Sequence, residues 1–502
     1  MKRYDASPWY ISAALAVSVA GFGTRLSNAQ QPPPRPDGEE GVQVLTRGPV
    51  HEAFAGTLTY DPEPGIVVTM TPPDPIEEIP PDQRPEGAGV TWIPGYNAWD
   101  DERNDYLWVS GVWRSPPPGR HWIPGYWGRS SQGFQWTSGY WGDAQLRETE
   151  YLPEPPGTVE AGPSMPAPSS DHSWIPGCWL WQYGRYAWRP GYWVTLHSDW
   201  DWVPGHYTWA PRGYVFVDGY WDYSIERRGV LFAPIYFDAG IYGRREYRYS
   251  PSTVISLAVF SDHLFVRPRY HHYYFGDYYD AGYNDAGYYS HLSFQTNRYG
   301  YDPIYAHQRW KHRQDSDWEA RVESDFRRRR DHVEARPVRT LKAQLTLNAT
   351  GSASNERGLV LATSLDQVVR NGEGPVRFQA VESSEKQVLV QRGKEVGKFR
   401  EERQRLERDV TTGSASEGLQ RVSPGKVVIP RSPIVAKRVE ELTKDRTPPK
   451  RQVVPEPDPK IEGKPRKHRP DAASPVSRSE KEPNADANKQ PKGKSKKKQK
   501  ND

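Results

Sequence analysis

Three groups of side chains in this 502-residue sequence have types and spacing that could do chemistry. His271-His272 stands just ahead of Asp277 and Asp280. Imidazole nitrogens with carboxylate oxygens are the donors a transition metal takes. The tract around them is biased to Tyr, Asp and Gly, where such neighbours arise from composition, so no ligand set is assigned. Asp100-Asp-Glu102 with Asp105 gathers carboxylates as a calcium loop does. It lacks the ordered ligand spacing and the turn glycine of such a loop, and reads as a solvated turn. Cys178 is the single cysteine, which excludes an intramolecular disulfide and a multi-thiolate cluster within one chain. No Gly-rich phosphate loop, nucleophile elbow or zinc-protease helix motif is present. The sequence therefore assigns no catalytic residue, no cofactor and no metal.

The remaining chemistry is aromatic, and it is periodic. Trp92-Ile-Pro-Gly-Tyr-Asn97, Trp108-Val-Ser-Gly-Val-Trp113, Trp122-Ile-Pro-Gly-Tyr-Trp127 and Trp136-Thr-Ser-Gly-Tyr-Trp141 form one series. After a gap come Trp174-Ile-Pro-Gly-Cys-Trp179, Trp188-Arg-Pro-Gly-Tyr-Trp193, Trp202-Val-Pro-Gly-His-Tyr207 and Phe216-Val-Asp-Gly-Tyr-Trp221. The copies are Gly95, Gly111, Gly125 and Gly139, then Gly177, Gly191, Gly205 and Gly219, mostly 14 residues apart. Such a period decides the architecture before anything else. Cys178 stands where most sister copies have Tyr, so it reads as a packed side chain.

Trp108, Trp113, Trp122, Trp127, Trp136, Trp141, Trp174, Trp179, Trp188, Trp193, Trp202 and Trp221 are the candidate aromatic surface. Three roles are open to them. Rings can replace aliphatic side chains as the core of a thin sheet. They can stack on sugars, as aromatic platforms stack on bases. They can make rows for protein contact.

The elements that must position these rings read as strands. In Tyr106-Leu-Trp-Val-Ser-Gly-Val-Trp113 the side chains alternate between two faces, both carrying aromatics. All four even copies have an aromatic two places before the motif, so the unit is a pair of about 28 residues, the size of a hairpin. The repeated glycine leaves an empty site that a neighbouring Trp can cover. Pro before Gly conflicts with a continuous strand. Either strands run through the motif with turns between, which is preferred, or Pro-Gly is itself the bend. A glycine every 14 residues, usually behind a Pro, excludes long helices there. The fold class expected is mainly β: antiparallel hairpin or meander repeats, in two four-strand groups, with a charged helical and disordered C-terminal part.

Around the repeats the chain divides as follows. Residues 1–29 read as a signal peptide, with Lys2 and Arg3, an apolar run over Ile11–Phe22 and small residues before a cut after Ala29. Residues 30–90 are a proline-rich lead-in with short strands at Val42-Gln-Val-Leu45 and Ile66-Val-Val-Thr-Met70, and an acidic stretch with Glu77, Glu78 and Asp82. The first repeat block is 91–142, 143–171 a linker and the second block 172–223. Residues 224–302 are β-type and then Tyr-rich, an irregular aromatic surface segment. Residues 303–429 are charged and helical, with helices over 316–334 and 384–410. In the second, Leu389, Val396, Phe399, Leu406 and Val410 resemble an incomplete coiled-coil seam, with a lone solvated helix equally open. Residues 430–502 form a disordered basic tail. With 48 Pro and 43 Gly and only 35% hydrophobic residues, the chain cannot be one large core. The net charge of +4 is uneven: residues 441–502 hold 18 Lys/Arg and 10 Asp/Glu, or +8, leaving −4 for the rest. That disfavours nucleic acid as a partner for the repeats and lets the run Lys492–Lys500 contact anionic polymers. Past residue 29 no apolar run is long enough to span a membrane.

The Trp-x-x-Gly-x-Trp units with an aromatic two places ahead resemble the WXXGXW, or YXWGXW, repeat proteins of bacteria. The signal, acidic lead-in, two blocks and Tyr-rich segment resemble long exported members from planctomycetes. Asn97, Tyr207 and Phe216 depart from the motif's Trp positions. The resemblance implies an exported protein, periplasmic, envelope-bound or extracellular, and carries over no activity, cofactor or catalytic residue. The function expected is a non-enzymatic structural or interaction protein of the envelope, with a glycan or cell-wall-polymer binding module as the alternative. Envelope polysaccharide, peptidoglycan or another envelope protein are the partners to expect.

Overall fold

The repeats fold as four bent β-hairpins, seen in a computed structural model that describes residues 39–87, 89–349, 359–372, 376–408, 425–438, 441–442, 446–450 and 455–464. The signal segment 1–29 and the run Lys492–Lys500 lie outside the described residues. In the first hairpin Thr91–Ile93 pairs with Val112–Arg114, and Tyr96–Asp100 with Asp105–Val109. In the second, Arg120–Ile123 pairs with Tyr140–Asp143 and Tyr126–Ser130 with Gly133–Thr137. The third joins His172–Ile175 to Tyr192–Thr195 and Cys178–Gln182 to Arg185–Arg189. The fourth joins Trp200–Val203 to Tyr220–Tyr223 and His206–Ala210 to Gly213–Val217. Each therefore has a base half and a tip half, with the two Pro-Gly-type steps facing each other between them. Pro has no N–H and cannot continue the ladder, which breaks there and resumes beyond.

The tips turn tightly. Tyr183 and Gly184 have φ of 50° and 79°, the paired positive values that suit a two-residue turn to the twist of its strands. Aromatic pairs face each other across the strands on either side of the waist. Trp92–Trp113, Trp122–Trp141, Trp174–Trp193 and Trp202–Trp221 hold the base halves with ring centroids 5.0–5.3 Å apart. Trp127–Trp136, Trp179–Trp188 and Tyr207–Phe216 do the same at the tips.

The hairpins do not join into two four-strand groups. No ladder connects one to another among the described residues; outside strands edge all four tips, while the base halves of the second, third and fourth hairpins stay two-stranded. Val42–Val44 and Ile235–Phe237 extend the first tip, Val67–Val68 the second, Asp458–Gly463 the third, and Glu148–Leu152 with Gly425–Val428 the fourth. This corrects two further expectations. The 143–171 linker contains the strand Glu148–Leu152, whose Tyr151 and Leu152 are buried. The tail from 430 is structured in its described parts: Ser432 and Ile434 are buried, and Asp458–Gly463 pairs with Arg185–Arg189. Flanking prolines hid the first from a composition reading, and Pro, Lys and Glu content hid the second.

The Tyr-rich segment is also not a surface tract. Tyr273, Tyr274, Tyr278, Tyr279 and Tyr288 are buried; Tyr278 lies under Arg47, and Tyr274 and Tyr288 lie under Arg267. These arginines receive the acidic turn of the first hairpin. Arg47 pairs with Glu102 at 2.5 Å, and Arg267 pairs with Asp101, which also accepts the Tyr270 hydroxyl at 2.7 Å. The turn residues 101–104 stay exposed, as expected of a solvated turn, while Asp101 and Glu102 are tethered by these arginines. Helices follow at Pro303–Lys311, Trp318–Asp331 and Ser383–Arg408. The last is neither a coiled coil nor a lone solvated helix: Leu389, Val396 and Phe399 are buried against the hairpin layer, and Arg403 and Glu407 lie fully buried beyond them.

Candidate functional site

The waist of each hairpin is where the motif's residues converge. A Cβ on Gly139 would lie 2.6 Å from Trp122 Cζ2, and one on Gly125 2.6 Å from Trp136 Cζ2. Gly95 faces Trp108, Gly111 Trp92, Gly177 Trp188, Gly191 Trp174, Gly205 Phe216 and Gly219 Trp202 in the same way. Every motif glycine is thus crossed by the opening aromatic of the partner strand, and no larger residue leaves room for that ring.

The break in the ladder frees backbone donors and acceptors that must find other partners. In three hairpins a glutamate from outside the motifs supplies the acceptor. Glu78 Oε1 accepts from the Trp108 indole at 3.0 Å and from Gly111 N at 2.9 Å, while Oε2 accepts from Gly95 N at 2.7 Å. Glu52 accepts from the Trp136 indole at 3.0 Å and Gly139 N at 2.9 Å. Glu160 accepts from the Trp174 indole at 3.0 Å and Gly177 N at 2.5 Å. In each case the two donors are the Trp and the Gly of one motif, three residues apart. The spacing Trp-x-x-Gly is a carboxylate clamp made of one side-chain and one backbone N–H.

Residues 87–114, 170–194 and 198–222 match the family model described as WXXGXW repeat (2 copies). These segments carry WXXGXW repeats. No curated protein and no solved structure matches it. The second WXXGXW hairpin, 120–143, lies outside the matched residues yet has the same ladders and the same clamp.

Among the described residues the fourth WXXGXW hairpin holds no outside glutamate. Phe216 replaces the Trp that would donate, and Gly219 N donates instead to the side chain of its own neighbour Asp218 at 2.9 Å. The freed carbonyls are capped by cations. Arg403 Nη1 donates to Pro124 O at 2.8 Å and Ser138 O at 3.0 Å, and Arg120 Nη2 donates to Asp218 O at 3.0 Å and Gly219 O at 3.1 Å.

The clamped glutamates sit in opposed influences. Burial is the largest and pushes Glu52 up to about 8 and Glu78 to about 7, while the N–H donors favour the charged form. Elsewhere the buried charges pair with one another. Arg114 Nη2, at the end of the first hairpin, donates to both carboxylate oxygens of Asp222 of the fourth at 2.6 Å, and Arg228 reaches Asp201 at 2.7 Å. Arg403 meets Glu407 at 2.9 Å, and Glu407 also accepts the Tyr126 hydroxyl at 2.6 Å and the Tyr151 hydroxyl at 2.8 Å.

Nine of the twelve candidate tryptophans are buried; Trp127, Trp174 and Trp193 are half-buried. No row of exposed rings is formed among them. Cys178 is half-buried with its thiol facing Arg189, and burial pushes that thiol up. His272 is buried and its Nε2 meets the Tyr96 hydroxyl at 2.7 Å; His271 occupies a left-handed backbone position beside it. The sequence reading missed Glu52, Glu160, Arg120 and Arg403, and gave Glu78 no role. Glu78 and Glu160 lie in segments just ahead of a repeat block, which was a readable signal, whereas Glu52, 84 residues from the Trp136 it meets, had none.

Proposed function

We propose that this chain is a non-enzymatic structural or interaction protein of the bacterial cell envelope, in which WXXGXW hairpins are scaffold elements that hold acid-bearing segments. The observation that carries this reading is the clamp: the motif's two donors are spent on glutamates of the chain itself. The rings are packed across glycines and against each other, so a platform for sugar stacking would have to be built from other residues. The interior acids, which a hydrolase would need facing a substrate, are instead occupied by arginines, tyrosines and indoles. Export rests on the N-terminal sequence, and the mature chain should begin at Gln30.

Tryptophan emission quenched by a neutral solute, with and without peptidoglycan or polysaccharide, tests the scaffold against the glycan module. The scaffold reading expects most emission to be protected from the start and unchanged by glycan. Strong additional protection on adding glycan would replace it with the binding module.

A further inference from the structure

We infer that the third hairpin is a docking site for an extended, glutamate-bearing peptide, which the chain's own residues 153–165 occupy as a built-in competitor. The inference rests on the scaffold reading and names the partner class of its clamp. Three tryptophans of this hairpin donate to that strap. The Trp179 indole reaches Gly157 O at 3.0 Å, the Trp174 indole the Glu160 carboxylate at 3.0 Å, and the Trp193 indole Met165 O at 3.3 Å. Gly177 N adds the second arm of the clamp. The Tyr186 hydroxyl of the same hairpin also donates to Pro153 O, so between hairpin and strap the donors belong to the hairpin and the acceptors to the strap: three backbone carbonyls, which any residue provides, and one carboxylate. Recognition of this kind asks a peptide only to be extended and to carry a glutamate in register.

The other two clamps hold segments of the same kind. Glu52 arrives with Ala53 O on the Trp141 indole at 3.1 Å, and Glu78 follows Pro73 O on Asn97 and Met70 O on the Tyr106 hydroxyl. They differ in depth. Glu52 and Glu78 are 3% and 8% exposed, inside the core, whereas Glu160 is half-buried. Within the strap Val159 is 48% and Met165 70% exposed, and residues 153–171 contribute no strand. Pro155 and Pro156 of the strap are buried, so its release uncovers the buried Trp179 as well as the half-buried Trp174 and Trp193, but leaves the clamps of Glu52 and Glu78 closed. A tethered strap competes at an effective concentration around millimolar, so a peptide in trans is disfavoured until the strap is weakened.

The experiment uses the full chain and a fluorescein-labelled peptide of residues 153–167, read by anisotropy. The labelled peptide should bind the Glu160→Ala chain about tenfold or more tightly than the wild-type chain. The same peptide with alanine at the position of Glu160 should fail to compete. Equal binding to both chains, binding to neither, or equal competition by the alanine peptide overturns the inference. Where Glu160→Ala loosens the third hairpin, adding excess peptide should restore amide-exchange protection at Gly177, and failure to do so counts against docking. Absent peptide binding with tryptophan emission still protected and indifferent to glycan leaves the scaffold reading standing alone.

Discussion

Tryptophan combines the largest apolar side chain with a single donor, and each half is used in the clamped motifs. The ring crosses the partner strand's glycine while its N–H joins the motif's own glycine on a carboxylate. Gly139→Ala should therefore destabilise the protein by about 1–3 kcal/mol, because the added methyl meets both the Trp122 ring and the Ile123 backbone carbonyl. Gly393→Ala makes the opposite case. Nothing lies within 4 Å of its Cβ position in the long helix, so it should stabilise by about 0.5–1 kcal/mol. Urea denaturation of the two variants reads both signs. The buried clamp acids Glu52 and Glu78 also predict a pH profile. Their folded values are raised, so their contribution is complete below 4.5 and is lost as pH rises through about 7 for Glu78 and about 8 for Glu52. Burial lowers His51 to about 3 and His272 to about 4, so their contribution is present above 6.5 and is lost on acidification. Stability should peak near neutrality and fall on both sides, and Glu52→Gln should flatten the alkaline limb while leaving the acid limb. An alkaline limb unchanged in that variant would rule out Glu52 as its source.

The helix Ser383–Arg408 shows what a periodic reading reaches and where it stops. Its existence and start follow from spacing, as do its buried positions Leu389, Val396 and Phe399, while the expected last seam residue Val410 lies outside the described residues. What those positions meet does not. A seam of apolar residues looks the same whether it faces another helix or a sheet, and the sequence offered a coiled coil. The decisive residues are polar. Arg403 and Glu407, a turn apart and fully buried, belong to no hydrophobic pattern, and their partners Tyr126, Tyr151, Pro124 and Ser138 lie more than 250 residues away. The hairpins were more legible, because alternation, pairing of motifs and glycine spacing are all local. Arg403→Ala leaves Glu407 buried without its cation and two waist carbonyls uncapped, and should cost about 3–5 kcal/mol. Arg403→Met with Glu407→Leu removes both charges together and should cost less than the single change. Chemical denaturation of both variants checks the order; a cheaper single change would mean the pair does not anchor the helix.

At the scale of the molecule the repeats are regular but not self-sufficient. A solenoid buries each unit against the next, so its repeats carry their own stability. Here the hairpins share no ladder. They touch through side chains, such as the stack of Tyr96 on Trp136 and the Arg114–Asp222 pair. Every tip half is edged by a strand from outside the repeats, and the glutamates of the first two clamps come from 39–87. Arg228, which reaches both Asp201 and Asp222, also lies beyond the last repeat. A fragment of residues 91–223 would therefore hold buried aspartates short of a cation, glycine N–H groups without acceptors and open sheet edges. Each of these is unfavourable, and an uncovered edge also invites association. That fragment should show solvent-exposed tryptophan emission and no cooperative urea transition, whereas 39–464 should unfold in a single step. A cooperative transition in 91–223 would mean that the aromatic pairs alone hold the hairpins. The segments now seen as part of the fold would then be attachments to it.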